Sequence, residues 1–406
     1  MEKLIAPGRM AERWREREPS SILVVRLKAL GDIVLSLPVV RALRARFPGS
    51  RIRYLCRERY AAALAGVREI DEVLVLPEPA ARQARFAAAL RRDRPDCVID
   101  LLGSPRSAVL SALCGARLRI GMDTRRHNWC YHLVLPRALY RGGERVKCYT
   151  LDSNEELVRL LGLPADERRG CGAEGAGEGS GGGREDGSRA RGLESVALDG
   201  GRGTRDDGRY AIGFPAAEGE RDWARRYAEA AARGRALLVG LVPGALYQAK
   251  SWREEYFIEI ARRLRDTMDA AVIVLWGPGE RALAERIASN APGAAAAPET
   301  GVARLGALVG ELDCLAGIDS GPKHLAVVQG VPTVTLFGPT DPRIWVPMTE
   351  RHRALHAAAD CFPCRKRECV PNRCLDRITP DMVMAEIGAA IAAAGGRGRG
   401  RGRPRE

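Results

Sequence analysis

The feature that most constrains this 406-residue chain is an alternation of short apolar runs with helix-period segments, which occurs twice and is interrupted once by a Gly-rich break. In the first stretch "SILVVRL" (21–27) is β-rich and apolar on both faces. After a short turn Ile33, Val34, Leu37, Val40 and Leu43 recur at helical spacing. "RIRYLCR" (51–57), "EVLVLP" (72–77) and "DCVIDLLG" (96–103) read as further strands, with a long Ala/Arg helix at 80–92. The pattern restarts with "ALLVGLVPG" (236–244), "AAVIVLWGPGE" (270–280), "LDCLAGIDSG" (312–321) and "VPTVTLFGPTDP" (331–342). Strands alternating with helices of this size predict βαβ units around parallel sheets.

The fold class is therefore α/β, with two Rossmann-like, doubly wound domains facing a central cleft, and ligands are expected at the carboxyl ends of the strands. The expected organisation is an N-terminal extension (1–20), a first domain (21–164), a Gly-rich flexible insertion or linker (165–208), a second domain (209–394) and a Gly/Arg tail (395–406).

Composition narrows the setting. No run approaches the ~18 consecutive apolar residues of a membrane span, and the first twenty residues lack the apolar centre of a signal peptide, so a cytoplasmic protein is expected. Eleven scattered cysteines suit reduced thiols better than a disulfide framework. The net charge of +14 is uneven: residues 21–164 carry 25 Lys+Arg against 14 Asp+Glu, and "RGRGRGRPRE" closes the chain. A basic first half suits an acidic acceptor or an anionic membrane face, with ordinary solvated charge as the plain alternative.

Neither a GxGxxG fingerprint nor a Walker A loop stands where it should, which argues against a standard dinucleotide or P-loop site. In "GIDSGPKHLAVVQGVPTVTLFGPTDP" (317–342), Asp319 ends an apolar run and Ser320, Gly321 and Pro322 open a helix. Free N–H groups, a hydroxyl and a glycine make an anion cradle there, with His324 one turn in. A simple cap and a packed core histidine are the alternatives. In "VPGALYQAKSW" (242–252), Lys250 stands before a helix signalled by Ser251 and faces the same sheet edge, suited to a phosphate. Glu280 in "WGPGE" suits a ribose hydroxyl. In "VVRLKALGDIVLSLPVVRAL" (24–43), Gly31 permits a tight turn and Asp32 stands at a helix start, either as a cap or as a carboxylate facing the cleft.

Together with "CFPCRKRECVPNRCLDRITPDMV" (361–383), these motifs resemble glycosyltransferase family 9, the ADP-heptose:lipopolysaccharide heptosyltransferases, over roughly 21–383 apart from the insertion. The resemblance implies a GT-B fold with the acceptor on the first domain and the nucleotide sugar on the second. It also implies inverting transfer that needs no metal and no cofactor. It puts the general base at Asp32 and donor binding at Lys250, Glu280, Asp319, Ser320, Gly321 and His324, where the family's frequent Asp-Thr-Gly reads Asp-Ser-Gly. The implied partners are an ADP-sugar donor and a lipid A–core oligosaccharide acceptor. Peripheral contact with the inner face of the inner membrane fits that acceptor, and nucleic acid is not expected.

Arg57, Arg59, Arg125 and Arg126 are candidates for acceptor phosphates or carboxylates. Cys361, Cys364, Cys369 and Cys374 are compactly spaced, and a structural metal, reduced thiols and local disulfides all stay open for them. Another sugar or acceptor is an alternative within the class. A non-catalytic nucleotide-sugar or RNA-binding module is the alternative outside it, and the presence of Asp32, Lys250 and His324 argues against that.

Overall fold

A computed structural model describes residues 10, 14, 17–136, 139–141, 144–146, 148–164, 208–245, 247–357, 359, 361, 362, 364 and 366–395. The expected linker, apart from Gly208, and the Gly/Arg tail from residue 396 lie outside the described residues.

The first sheet contains β1 (Ser21–Val25), β2 (Arg51–Cys56), β3 (Glu72–Val75), β4 (Cys97–Asp100), β5 (Leu118–Met122) and β6 (Leu133–Leu135), in the order 3-2-1-4-5-6. A hairpin of β7 (Leu139–Arg141) and β8 (Glu144–Val146) follows. The second sheet contains β9 (Leu237–Val242), β10 (Ala270–Val274), β11 (Ala294–Ala296), β12 (Cys314–Ile318), β13 (Thr333–Phe337) and β14 (His352–His356), in the order 11-10-9-12-13-14. Every pairing within the two six-stranded sheets is parallel. The winding direction reverses between β1 and β4 and again between β9 and β12, and these are the two points where a doubly wound sheet opens a crevice.

The two-sided apolar character of β1 has a direct structural use. Ile22 and Val24 join a core with Val34 of α1 (Leu30–Leu35), Val40 of α2 (Leu37–Arg46) and residues further along the chain, while Leu23 and Val25 join Leu90 of α3 (Ala80–Asp93) and Leu110 of α4 (Pro105–Leu113) on the other face. Each such side chain removed from water stabilises the fold by about 1.5–3 kcal/mol. Upstream of β1, Met10 and Trp14 are buried in the first of these cores. The Trp14 indole N–H donates to the Leu161 carbonyl at 2.6 Å, and the ring meets Phe47 edge-on at 5.2 Å. Leu161 itself directly follows α5 (Thr150–Leu160).

In the second half, α6 (Glu218–Ala232), α7 (Glu254–Met268), α8 (Arg281–Asn290), α9 (Val302–Val309), α10 (Gly321–Val328) and α11 (Pro380–Ala393) cover the sheet. The helix that Ser251 signals is present, with two residues between that serine and the first helical turn. Residues Gln248–Lys250 form a 3-10 turn, Arg253 is the N-cap and α7 starts at Glu254, its first turn occupied by Glu254 and Glu255. Across the halves, α1 packs on α10, the Arg41 guanidinium donates to the Ile212 carbonyl at 2.6 Å, and the Thr150 hydroxyl donates to the Ile344 carbonyl at 3.0 Å.

Candidate functional site

The residues singled out in the sequence gather at the carboxyl ends of β1, β9 and β12. After β1 the chain turns through Arg26–Ala29 into α1, whose N-cap is Ala29, so Asp32 lies in the first turn and makes no side-chain cap. Its Oδ2 is held instead by the Arg26 guanidinium at 2.6 Å. Arg26 also donates to the Leu101 carbonyl at the end of β4, and its Nε is buried without a partner. This guanidinium, one residue beyond β1, fixes which way the carboxylate points. Sequence reasoning passed over it as one more arginine.

After β9 and β12 the geometry is that of a buried charge cluster. Lys250 Nζ donates to Asp319 Oδ2 at 2.7 Å, the Thr340 hydroxyl donates to the same oxygen at 2.8 Å, and Lys323 Nζ donates to Oδ1. Burial works to raise the Asp319 pKa, but the Lys323 and Lys250 charges overcome it and hold the carboxyl below the ordinary carboxylate range. Lys323 is almost wholly enclosed, with its ammonium 4.7 Å from the centre of the Phe337 ring. Burial pulls its pKa down while Asp319 pulls it up. Lys323 falls within the apolar run of α10 in the sequence, where its spacing of four from Asp319 was the signal that went unread.

Ser320 is the N-cap of α10, as expected, but its hydroxyl caps nothing. The oxygen is buried without a hydrogen-bond partner in front of the free amides of the first helical turn. Pro322 stands in that turn, where its missing N–H has no consequence. Glu280 lies beyond β10 as N-cap of α8, and its Oε2 accepts from the Gly277 N–H at 2.8 Å. The carboxylate covers Gly244 so closely that a Cβ there would overlap it, which ties the loop after β9 to the loop after β10.

His324 joins the two halves. Its ring packs on Gly31, Leu30 packs on Gly321, and its Nδ1 lies 3.1 Å from the Tyr149 hydroxyl. Burial, reinforced by the Lys323 charge, drives its pKa well below that of an ordinary histidine, so the ring is neutral. Tyr149, also buried, keeps its hydroxyl proton and meets Tyr210 edge-on at 5.6 Å.

Arg57 and Arg59 follow β2, and Arg125 and Arg126 follow β5, all on the edge of the first sheet that carries Asp32. Cys361, Cys364, Cys369 and Cys374 are free thiols, and among the described residues no three His, Cys, Asp or Glu side chains are grouped to hold a metal ion. The segment braces the Lys250 turn: the Cys369 N–H donates to Gln248 Oε1 at 2.7 Å, and the Asn372 amide donates to the Ala249 and Ser251 carbonyls at 3.2 and 3.1 Å.

Residues 209–374, which hold the whole lysine–carboxylate cluster, match the sequence profile of glycosyltransferase family 9 (heptosyltransferase). Over that span the chain is similar to this family. It is a glycosyltransferase with the two parallel-sheet domains of a GT-B fold. It is 25% identical to lipopolysaccharide heptosyltransferase 1 of Pseudomonas aeruginosa over 401 residues, 92% of this chain and 98% of the relative. It is 23% identical to lipopolysaccharide heptosyltransferase 2 of Escherichia coli, covering 91% and 98%. Among solved structures, a glycosyltransferase family 9 protein from Veillonella parvula superposes with a TM-score of 0.67 at 19% identity, covering 92% and 97%. E. coli heptosyltransferase WaaC with ADP-2-deoxy-2-fluoro heptose superposes with a TM-score of 0.61 at 17% identity, covering 91% and 99%; these likenesses carry the fold. No helix among the described residues is long and apolar enough to cross a membrane.

Proposed function

We propose that this enzyme transfers heptose from an ADP-linked heptose to a hydroxyl of the lipopolysaccharide inner core, at the inner face of the inner membrane, with Asp32 as general base and inversion at the anomeric carbon. The supporting observation is the meeting of two helix starts: Leu30 and Gly31 of α1 pack against Gly321 and His324 of α10. That contact supports a reading in which the Asp32 carboxylate and the Ser320 cradle serve one seam. The names of the relatives and the ADP-sugar analogue in the WaaC structure point to the same donor and acceptor.

In this reading the Asp32 carboxylate takes the proton of the acceptor hydroxyl as its oxygen bonds to the anomeric carbon from the face opposite the departing group. The bond from that carbon to the diphosphate oxygen breaks, and ADP leaves with the electron pair. Arg26 holds Oδ2, and Oδ1 has no partner among the described residues, so Oδ1 receives the proton.

Negative charge grows on the diphosphate as it departs, and the second half is organised to meet it. Two lysines share one carboxylate, so in their charged forms the cluster has one positive charge in excess. Lys323 and Thr340 keep Asp319 satisfied while Lys250 swings onto the phosphate. The Ser320 hydroxyl and the amides at Gly321 complete the cradle. With Tyr149 donating to Nδ1, His324 carries its proton on Nε2 and offers that N–H to a phosphate oxygen. Glu280 accepts from a ribose hydroxyl, a role supported by its place over the β9 loop.

Release of ADP from ADP-heptose, measured with and without a heptose-deficient lipopolysaccharide acceptor, tests the reading. Acceptor-dependent release supports it. ADP binding without release in either case would leave a different sugar, a different acceptor or a binding protein.

A further inference from the structure

The first domain shows, on α4 and the loop after β5, a surface to which the bond-making step assigns no role. Helix α4 is fixed at its start by a capping box between Ser104 and Ser107. Ala108 and Ala112 pack against the segment that holds Cys130. The residue after each, Val109 and Leu113, points outward, and the two share one face of the helix. They are 42% and 46% exposed, and Trp129, on the 3-10 turn Asn128–Cys130 beside α4, is 67% exposed. Three of the five large hydrophobic side chains that stand exposed in the described structure thus fall on one patch.

The rim of that patch is basic. Between residues 105 and 136 the sequence has five arginines and a single carboxylate, Asp123. Asp123 is turned inward, accepting from Asn128 Nδ2 at 2.8 Å and from the Arg125 N–H at 3.0 Å. Exposed Arg106 lies one turn before Val109, and Arg125 and Arg126 precede Trp129. From α3 the stems of Arg91 and Arg94 reach Gly115, just beyond Leu113. Arg91, Arg106, Arg125 and Arg126 have no ion-pair partner among the described residues.

We propose that this face is a docking surface for an anionic phospholipid bilayer, with Val109, Leu113 and Trp129 entering the headgroup boundary and the arginines meeting lipid phosphates. An indole and two aliphatic side chains ringed by guanidinium groups match a surface that is apolar below and negative above. The inference takes from the functional reading only a lipid-linked acceptor. The patch runs from the free face of α4 to the loop after β5.

The test is sedimentation of the full chain with vesicles of phosphatidylglycerol and phosphatidylethanolamine, against vesicles of phosphatidylcholine alone. The expected result is binding to the anionic vesicles that weakens with salt and is poor on the neutral ones. Trp129→Ser and Leu113→Ser each lower the partition coefficient about tenfold, following the apolar surface lost. Arg91→Gln with Arg106→Gln removes the preference for anionic lipid. The serine variants should melt as the wild type does and transfer sugar normally to a deacylated, water-soluble acceptor. Loss of transfer to every acceptor in wild type as well would count against the functional reading and leave the vesicle result standing. Unchanged vesicle binding by both serine variants overturns the proposal. A concentration-dependent dimer that Trp129→Ser dissociates also overturns it, assigning the face to a second copy of the chain.

Discussion

The ring of His324 occupies the space that a side chain at residue 31 would need: a Cβ on Gly31 would stand 2.9 Å from His324 Cγ and closer still to Cδ2. Gly31 lies inside α1 with no left-handed backbone, so the turn after β1 does not require glycine there; the seam between the two halves does. Gly31→Ala should force the helix starts apart at a cost of about 1–3 kcal/mol, the usual range for overpacking. Activity should fall further than stability does. A wild-type melting temperature together with full activity would show that the ring moves freely aside.

Asp32→Asn keeps the shape of the side chain and its contact with Arg26 while removing the basic oxygen. Transfer should drop about 100- to 10,000-fold, the range that a positioned base supplies, with ADP affinity unchanged by calorimetry. Retention of more than a tenth of the activity would remove Asp32 from the mechanism.

Lys323→Met deletes the second cation on Asp319 and leaves Lys250 as the only cation on that carboxylate. Lys250 would then be held back, and ADP should bind about tenfold more weakly, as expected for loss of one charge-assisted contact. Adenosine, which lacks phosphate, should bind as before. An equal loss for both ligands would point to collapse of the pocket instead. Asp319→Asn leaves two lysines facing each other in a closed site and should destabilise the protein by roughly 3–5 kcal/mol.

The low pKa of His324 has a consequence for stability. The folded state keeps the ring neutral, whereas the unfolded chain protonates it near its ordinary value of 6.5. Below that pH the unfolded state binds more protons, so stability is complete above 6.5 and declines as the pH falls. The decline due to this group is at most about 1.4 kcal/mol per pH unit, the limit for one proton. His324→Gln should flatten the difference in urea midpoint between pH 7 and pH 5 by that contribution. An unaltered slope would show that the ring accepts its proton in place.

If the lysines and the Ser320 cradle meet the charge of the departing diphosphate, EDTA should leave initial rates unchanged. A loss that added magnesium or zinc restores would place a metal in the transfer step and displace this account of the charge.

Much of this was legible in the sequence because two-sided apolar strands leave a strong trace. The runs at 21–27 and 312–321 contain β1 and β12, and the Ser320–Gly321–Pro322 opening is the start of α10. The strands of the two sheets that went unread are β5, inside the first sheet, and the outer strands β6, β11 and β14. Ala294–Ala296 is all alanine, which has no strand preference, and His352–His356 owes its place to pairing with β13. Arg26 was missed for another reason, since it is fixed by the Leu101 carbonyl on another element, which local spacing does not reveal; Lys323 was missed although its spacing of four from Asp319 stood in the sequence. Ser251, a good cap by type, is not the cap of α7, because the braced turn Gln248–Lys250 precedes it and Arg253 takes the N-cap position.

The burial of Trp14 bears on how this enzyme can be handled. The first strand begins at Ser21, and a shortened chain starting there would leave an empty slot against Phe47 and an unanswered carbonyl on Leu161. Emptying a slot of that size usually costs about 3–5 kcal/mol, a large part of what holds a domain together. Met10 and Trp14, ahead of that strand, thus belong to the folding unit, and a gene product trimmed of them should be expected to aggregate where the full one does not.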